Sequence, residues 1–255
     1  MLSPIRFFYL LVLYLLCVEN ISAQQGYHWI NPAGGNWNTD GNWSLSGYPG
    51  SGDTAYIDLN GTYTVTYNQN FASVAAVYLG ASSGIQTLIN PGNVNGATGS
   101  VTIGANGAFI HTGGTYSAPS VLNYGTVRFI GTSFSFSPRI INFDSVLVVA
   151  SSFNLSGGLS NHDSVFVLTG SLNISGTDTS YAGAFLVSSG ATLNFNSGTH
   201  TLDASSTITG AGNVTFNTTV NMNGTYNIAG TTSSTGGTTT FNGAPGTLIS
   251  LGDSL

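Results

Sequence analysis

Along much of this chain, apolar residues come in pairs split by one polar residue, and the pairs return at a fixed interval. Asn123, Asn142 and Asn161 stand 19 residues apart. Val127, Val146 and Val165 keep the same interval. So do Phe129, Val148 and Val167, then Phe134, Phe153 and Leu172, then Phe136, Leu155 and Ile174. Each copy therefore holds two short alternating strands, with one side of each strand buried. Gly, Asn, Asp and Ser mark the bends between them. Further on the copies drift in length but keep the triplet, as in Leu193-Asn194-Phe195, Val220-Asn221-Met222 and Tyr226-Asn227-Ile228. A hairpin array or barrel would also alternate. It would not make every second strand repeat its residues at a constant interval.

The pattern predicts an all-β fold, a right-handed parallel β-helix (β-solenoid) with coils of about 19–21 residues. Successive coils stack at about 4.8 Å, so like residues pile on like. Residues 70–255 carry the solenoid repeats. Val127, Val146 and Val165 are expected in one buried column. Asn123, Asn142 and Asn161 are expected to form a structural ladder, because buried amides need partners. Residues 24–69 differ. They hold Trp29, Trp37 and Trp43 with Tyr27, Tyr48, Tyr56, Tyr63 and Tyr67. This block reads as an aromatic N-terminal cap, since an open solenoid end exposes strand edges and core. The competing reading is a platform on which sugar rings stack.

Residues 1–23 have the pattern of a secretory signal peptide. Arg6 precedes an apolar run from Phe7 to Val18, and small residues lead to cleavage after Ala23. The run is shorter than the roughly 20 residues of a membrane span. Cys17, the single cysteine, lies inside it, with Leu16 where a lipoprotein signal would want a small residue. The exported chain then has no thiol. The expectation is a secreted, extracellular or cell-surface product with no membrane span after cleavage.

Charge narrows the functions. Of 255 residues, 3 are Lys or Arg and 9 are Asp or Glu, so charged residues make up 5%, against about 25% in ordinary domains. A net charge of −6 with almost no basic side chains argues against nucleic-acid binding. A hydrophobic content of 41% argues against a disordered polar chain. Scarce Lys, Glu and Gln argue against a helical bundle.

One segment resembles a known kind of protein. Trp29-Ile30-Asn31-Pro32, Gly35-Asn36-Trp37, Gly41-Asn42-Trp43-Ser44, Pro49-Gly50, Gly52-Asp53-Thr54-Ala55-Tyr56-Ile57 and Tyr63-Thr64-Val65-Thr66 are similar to the opening of large secreted surface proteins. These are the autotransporter-passenger-like and adhesin-like β-solenoids. The resemblance covers about residues 27–67. It implies a parallel β-helix and a surface or matrix role, and it implies no reaction. Such chains usually run longer. The expectation is that Leu251-Gly252-Asp253-Ser254-Leu255 ends either a fragment or a short member.

Chemistry is sparse. Polysaccharide-cutting β-helices of the polygalacturonase type need several carboxylates on one face. Asn38-Thr39-Asp40 echoes their first motif, but it falls in the cap, and no partner motif follows. The pectate-lyase type needs a basic group beside an acidic calcium cluster. Here the chain has no Lys, and Arg128 and Arg139 are the basic residues after the signal segment. The terminal Gly-Asp-Ser-Leu spells a lipase motif with nothing after it and reads as coincidence. His28, His111, His162 and His200 match no metal spacing. Asp144 and Asp163 should stack on neighbouring coils, but they read as solvated turn residues because calcium wants six to eight oxygens. No cofactor or metal is expected.

After residue 23 the chain carries seven N-x-S/T sequons, at Asn42, Asn60, Asn154, Asn173, Asn213, Asn217 and Asn223, which are glycosylation acceptors in a eukaryotic secretory pathway. Strand alternation also turns Arg128, Leu147, Phe166 and Leu186 outward. Leu147, Phe166 and Leu186 would form a contact stripe, either covered by residues 175–183 or open to a partner. The leading expectation is a non-catalytic secreted or matrix solenoid with an adhesive face, its surface or glycan partner unnamed. The alternative is a polysaccharide-binding or polysaccharide-degrading β-helix. An ice-binding array, suggested by Thr62-Tyr63-Thr64, Thr64-Val65-Thr66 and Thr238-Thr239-Thr240, ranks last because the 19-residue copies stack no threonine face.

Overall fold

A computed structural model describes residues 24–68, 74–91, 94–95 and 98–253. Residues 1–23, where the sequence pattern leads one to expect a signal peptide and which include Cys17, and Ser254 and Leu255 of the terminal motif, lie outside the described residues. The chain is a parallel β-solenoid. Its strand ladders are parallel throughout the described residues. A 3-10 turn at Asp40–Asn42 is the one helical element described.

The strands form three stacks. The first is a seven-stranded sheet from Gly26–His28 to Leu159–Asn161. It is carried on by a four-stranded sheet of Asp178–Ser180, Thr199–Leu202, Thr219–Met222 and Thr239–Phe241. The second stack runs from Gly35–Asn36 to Leu248–Leu251, and the third from Val94–Asn95 to Thr232–Ser234. In the middle coils, the strands Thr126–Phe136, Ser145–Leu155 and Ser164–Ser175 pass through the corner between these two stacks without a break. The corner is held by Gly131, Ala150 and Gly170, which pair rung to rung. Gly170 has a φ of +61°, and a Cβ there would lie 2.0 Å from the Ala150 carbonyl oxygen. A side chain cannot be accommodated at that point.

The core is a set of columns. Val127, Val146 and Val165 are register partners on successive coils and are fully or almost fully buried. The same column continues back through Phe109, Leu88 and Val65, and forward through Phe185, Ile208 and Tyr226. Coil length varies more than the repeat suggested. The rung-to-rung interval is 19 residues at Asn123 and Asn142, 22 between Asp178 and His200, 24 between Val74 and Thr98 and 18 between Asn213 and Thr231. Strands pair residue for residue apart from isolated bulges, as after Val148, Ile174 and Tyr226. Turns carry no such constraint and absorb the difference.

The aromatic block supplies the first rungs of these same ladders. Gly26–His28 pairs with Thr54–Ile57, which pairs with Ala76–Leu79. Trp29, Trp37 and Trp43 are buried. Trp43 packs edge-on against both others, with ring centroids 5.0 and 4.8 Å away. Each indole N–H donates to a carbonyl: Trp29 to Asn31 at 2.6 Å, Trp37 to Pro49 at 3.3 Å and Trp43 to Trp37 at 2.7 Å. These rings fill the end of the core and offer no sugar-stacking face.

The asparagine column is a hydrogen-bonded chain. Asn123 Nδ2 donates to Asn142 Oδ1 at 2.7 Å, and Asn142 Nδ2 donates to Asn161 Oδ1 at 2.8 Å. The same amides donate to turn carbonyls at Ser145, Asp144 and Ser164, tying the bend to the ladder. All three residues are fully buried. Asn142→Leu strands a donor on Asn123 and an acceptor on Asn161. It is expected to cost about 3 kcal/mol, seen as a clear fall in Tm; an unchanged Tm would refute the ladder's role.

Candidate functional site: the outer faces of the coil

What the coil offers a partner is its outward columns. On the second stack, Ile89, Ile110, Arg128, Leu147, Phe166 and Leu186 follow one another rung by rung. Arg128 is exposed, Leu186 is 42% exposed, and Ile89, Ile110, Leu147 and Phe166 are half-buried by their rung neighbours. Beside them runs a column of short side chains, Thr126, Ser145, Ser164 and Ala184. The result is an apolar ribbon on a low shoulder. The segment 175–183 does not lie over it. Asp178–Ser180 is a strand of the first stack, paired with Thr199–Leu202.

Two aromatic ladders stand outside the core. Tyr124, Phe143, His162 and Tyr181 stack nearly parallel, with centroids 5.0, 4.7 and 5.5 Å apart. His28, Tyr56 and Tyr78 do the same at 4.6 and 5.1 Å. Tyr124, Phe143 and His162 each follow a ladder asparagine directly, so the 19-residue interval already contained them. In both ladders the inner rings cover each other's faces, and edges point to solvent.

The third stack is polar and uncharged. Asn173 Nδ2 donates to Asn154 Oδ1 at 2.8 Å, and Asn194 Nδ2 donates to Asn173 Oδ1 at 2.7 Å. Asn217 Nδ2 donates to Asn196 Oδ1 at 2.9 Å, and the Thr235 hydroxyl donates to Asn217. Asn213 Oδ1 accepts from the Thr231 amide and hydroxyl, both at 2.9 Å. Of the remaining sequon asparagines, Asn60 is exposed and accepts from the Ser82 hydroxyl and Ser83 amide. Asn223 is half-buried in a turn. Asn42 is buried, donating to the Asn36 carbonyl at 2.9 Å and accepting from Asn31 at 2.8 Å. A glycan on Asn42 would break that packing.

Among the described residues, His and Asp side chains gather in groups no larger than pairs. Asp144 and Asp163 sit at stacked turns, and each accepts from the serine that follows it at 2.8 Å. Among the described residues, no group of three or more His, Cys, Asp or Glu could hold a metal ion. His28 meets Asp58 at 2.9 Å on the surface. His200 and Asp178 form a buried pair that sequence reading missed, with Nδ1 to Oδ1 at 3.2 Å. The Leu159 amide donates to Asp178 Oδ2 at 2.7 Å, and the Ser197 carbonyl lies 3.1 Å from His200 Nε2. The two side chains face inward from paired strands, and the next rung of the same column places Val220 there.

His111 is buried among Phe109, Tyr116, Phe129, Phe134 and Phe136. Burial pushes its pKa from 6.5 down to about 4, against a smaller opposing pull from the Gly114 backbone. The folded state therefore refuses a proton that the unfolded chain accepts. The stability this preserves is fully present above pH 6.5 and is lost as pH falls toward 4, up to about 3 kcal/mol. Denaturant melts across that window should show the slope, and His111→Phe should flatten it.

No helix among the described residues is long and apolar enough to cross a membrane. No family model, no curated protein and no solved structure matches this chain.

Proposed function

We propose that this chain is a non-catalytic extracellular or cell-surface solenoid that presents an adhesive face to another macromolecule. The observation that carries the reading is the uncovered column of Ile89, Ile110, Arg128, Leu147, Phe166 and Leu186, apolar on both sides of its one arginine, on a nearly uncharged rod. Aligned apolar side chains left partly open to solvent are the kind of surface that marks contact sites. The signal-like N-terminal segment supports an exported location. The arrangement of titratable groups favours binding over catalysis. The His200–Asp178 pair is sealed in the core, and the turn carboxylates are held by their own serines.

A second reading, a polysaccharide-binding or polysaccharide-degrading β-helix, draws support from the Asn154–Asn173–Asn194 ladder. Such a ladder is a row of amides suited to the hydroxyls of a neutral glycan. The outer aromatic stacks support it less, because their inner ring faces are occupied. A glycan-array screen separates the readings, and clear binding would promote the second.

Phe166→Ser tests the ribbon. Because Phe166 is half-buried, the change should cost about 1 kcal/mol, well below the 2–3 of a fully buried aromatic. It should also weaken adhesion or self-association, measured by surface binding and sedimentation. If neither quantity moves, the ribbon is not the contact face.

A further inference from the structure

The outer face of the four-stranded sheet has a different character. Asp178–Ser180, Thr199–Leu202, Thr219–Met222 and Thr239–Phe241 pair residue for residue, with no bulge. Their outward positions form two ranks. One is Thr177, Thr199, Thr219 and Thr238, and the other is Thr179, Thr201, Asn221 and Thr240. Seven of these eight side chains are threonine, and none is charged. The inward residues of two rungs, Asp178 and His200, bond each other beneath the face and send no charge to it.

Six of the seven hydroxyls are also unspent. Thr177 accepts from the Thr199 amide. Among the described residues, the side chains of Thr179, Thr199, Thr201, Thr219, Thr238 and Thr240 make no hydrogen bond within the protein. On the third stack, by contrast, the amides bond one another rung to rung. The threonine face keeps its hydrogen-bonding capacity for something outside the chain.

We propose that this face binds an ordered water lattice, the surface of ice. Parallel pairing fixes the repeat at about 4.8 Å along the stack, and strand alternation fixes about 6.6 Å across it. Such a grid is close to the repeat of oxygen positions on the faces of hexagonal ice. Each threonine pairs a hydroxyl, which can occupy a lattice position, with a methyl, which restricts the orientation of the water around it. A flexible ligand gains little from a grid that is regular in two directions, whereas a crystal gains from every rung. A sugar chain would be gripped better by open aromatic faces or paired amides, and this face has neither.

The test is ice recrystallisation inhibition and thermal hysteresis of the purified protein. Thr201→Tyr raises a bulky ring in the middle of the grid. It should abolish the ice activity and leave Tm unchanged, while Thr209→Tyr on the second stack, where Thr209 follows Leu186 by one rung, should retain the activity. If the first variant fails to fold, Thr179→Lys on the adjoining rung should report the same loss. The proposal is overturned if the unaltered protein has no effect on ice, or if Thr201→Tyr or Thr179→Lys remains as active as the parent. It is equally overturned if the parent binds insoluble cellulose or chitin through this face and does not affect ice.

Discussion

Everything in this molecule depends on parallel, in-register pairing between coils. In the strands, backbone amides bond to the coil above or below, so a strand side chain must lie on its equivalent one rung away. Inside, this turns a repeated valine into the Val127–Val146–Val165 column. It also turns a repeated asparagine into a chain in which each amide serves the next. The amide chain works only if complete, because a half-satisfied buried network is worse than an apolar one. Outside, the same rule makes ladders of tyrosine, phenylalanine and histidine from residues that would otherwise be scattered.

Register binds the strands and leaves the turns free. This explains which features could be read from the sequence. From Asn123 to Asn161 the turns keep one length, so the fold class, the valine column, the asparagine ladder and the outward direction of Leu147 and Phe166 all follow from the 19-residue interval. Past Asn161 a turn gains Ala182, which takes a φ of +56°. Its amide donates to Asp203 at 2.9 Å. The next interval grows to 22 residues. A fixed-period search loses the thread at that point. The threonine ranks and the His200–Asp178 pair lie beyond it, as aligned as the middle coils but hidden by unequal turns.

The N-terminal block was obscured for another reason. Its first two rungs are joined by long connections that carry the tryptophans, so composition dominates and the strand pairing is faint. Gly26–His28 is three residues long and Gly35–Asn36 only two. The burial of Asn42 could not be read from a sequon. It follows from Asn31 and Asn36 converging on one amide, a tertiary coincidence.

The scarcity of charge is itself a consequence of the pairing. A charged residue repeated in register would face its own kind at about 4.8 Å, a repulsion of about 1 kcal/mol in water and 3–4 in the lower dielectric near a protein surface. Every added coil would repeat that cost. The charges that remain obey the constraint. Arg128 lies between Ile110 and Leu147, and Arg139 pairs with Ser120. Asp144 and Asp163, which do stack, sit at turns open to solvent, each softened by a serine hydroxyl. A rod built this way cannot easily recognise partners by complementary charge. It has apolar relief, rows of amides and ranks of hydroxyls, and it displays each of them on a different part of its surface.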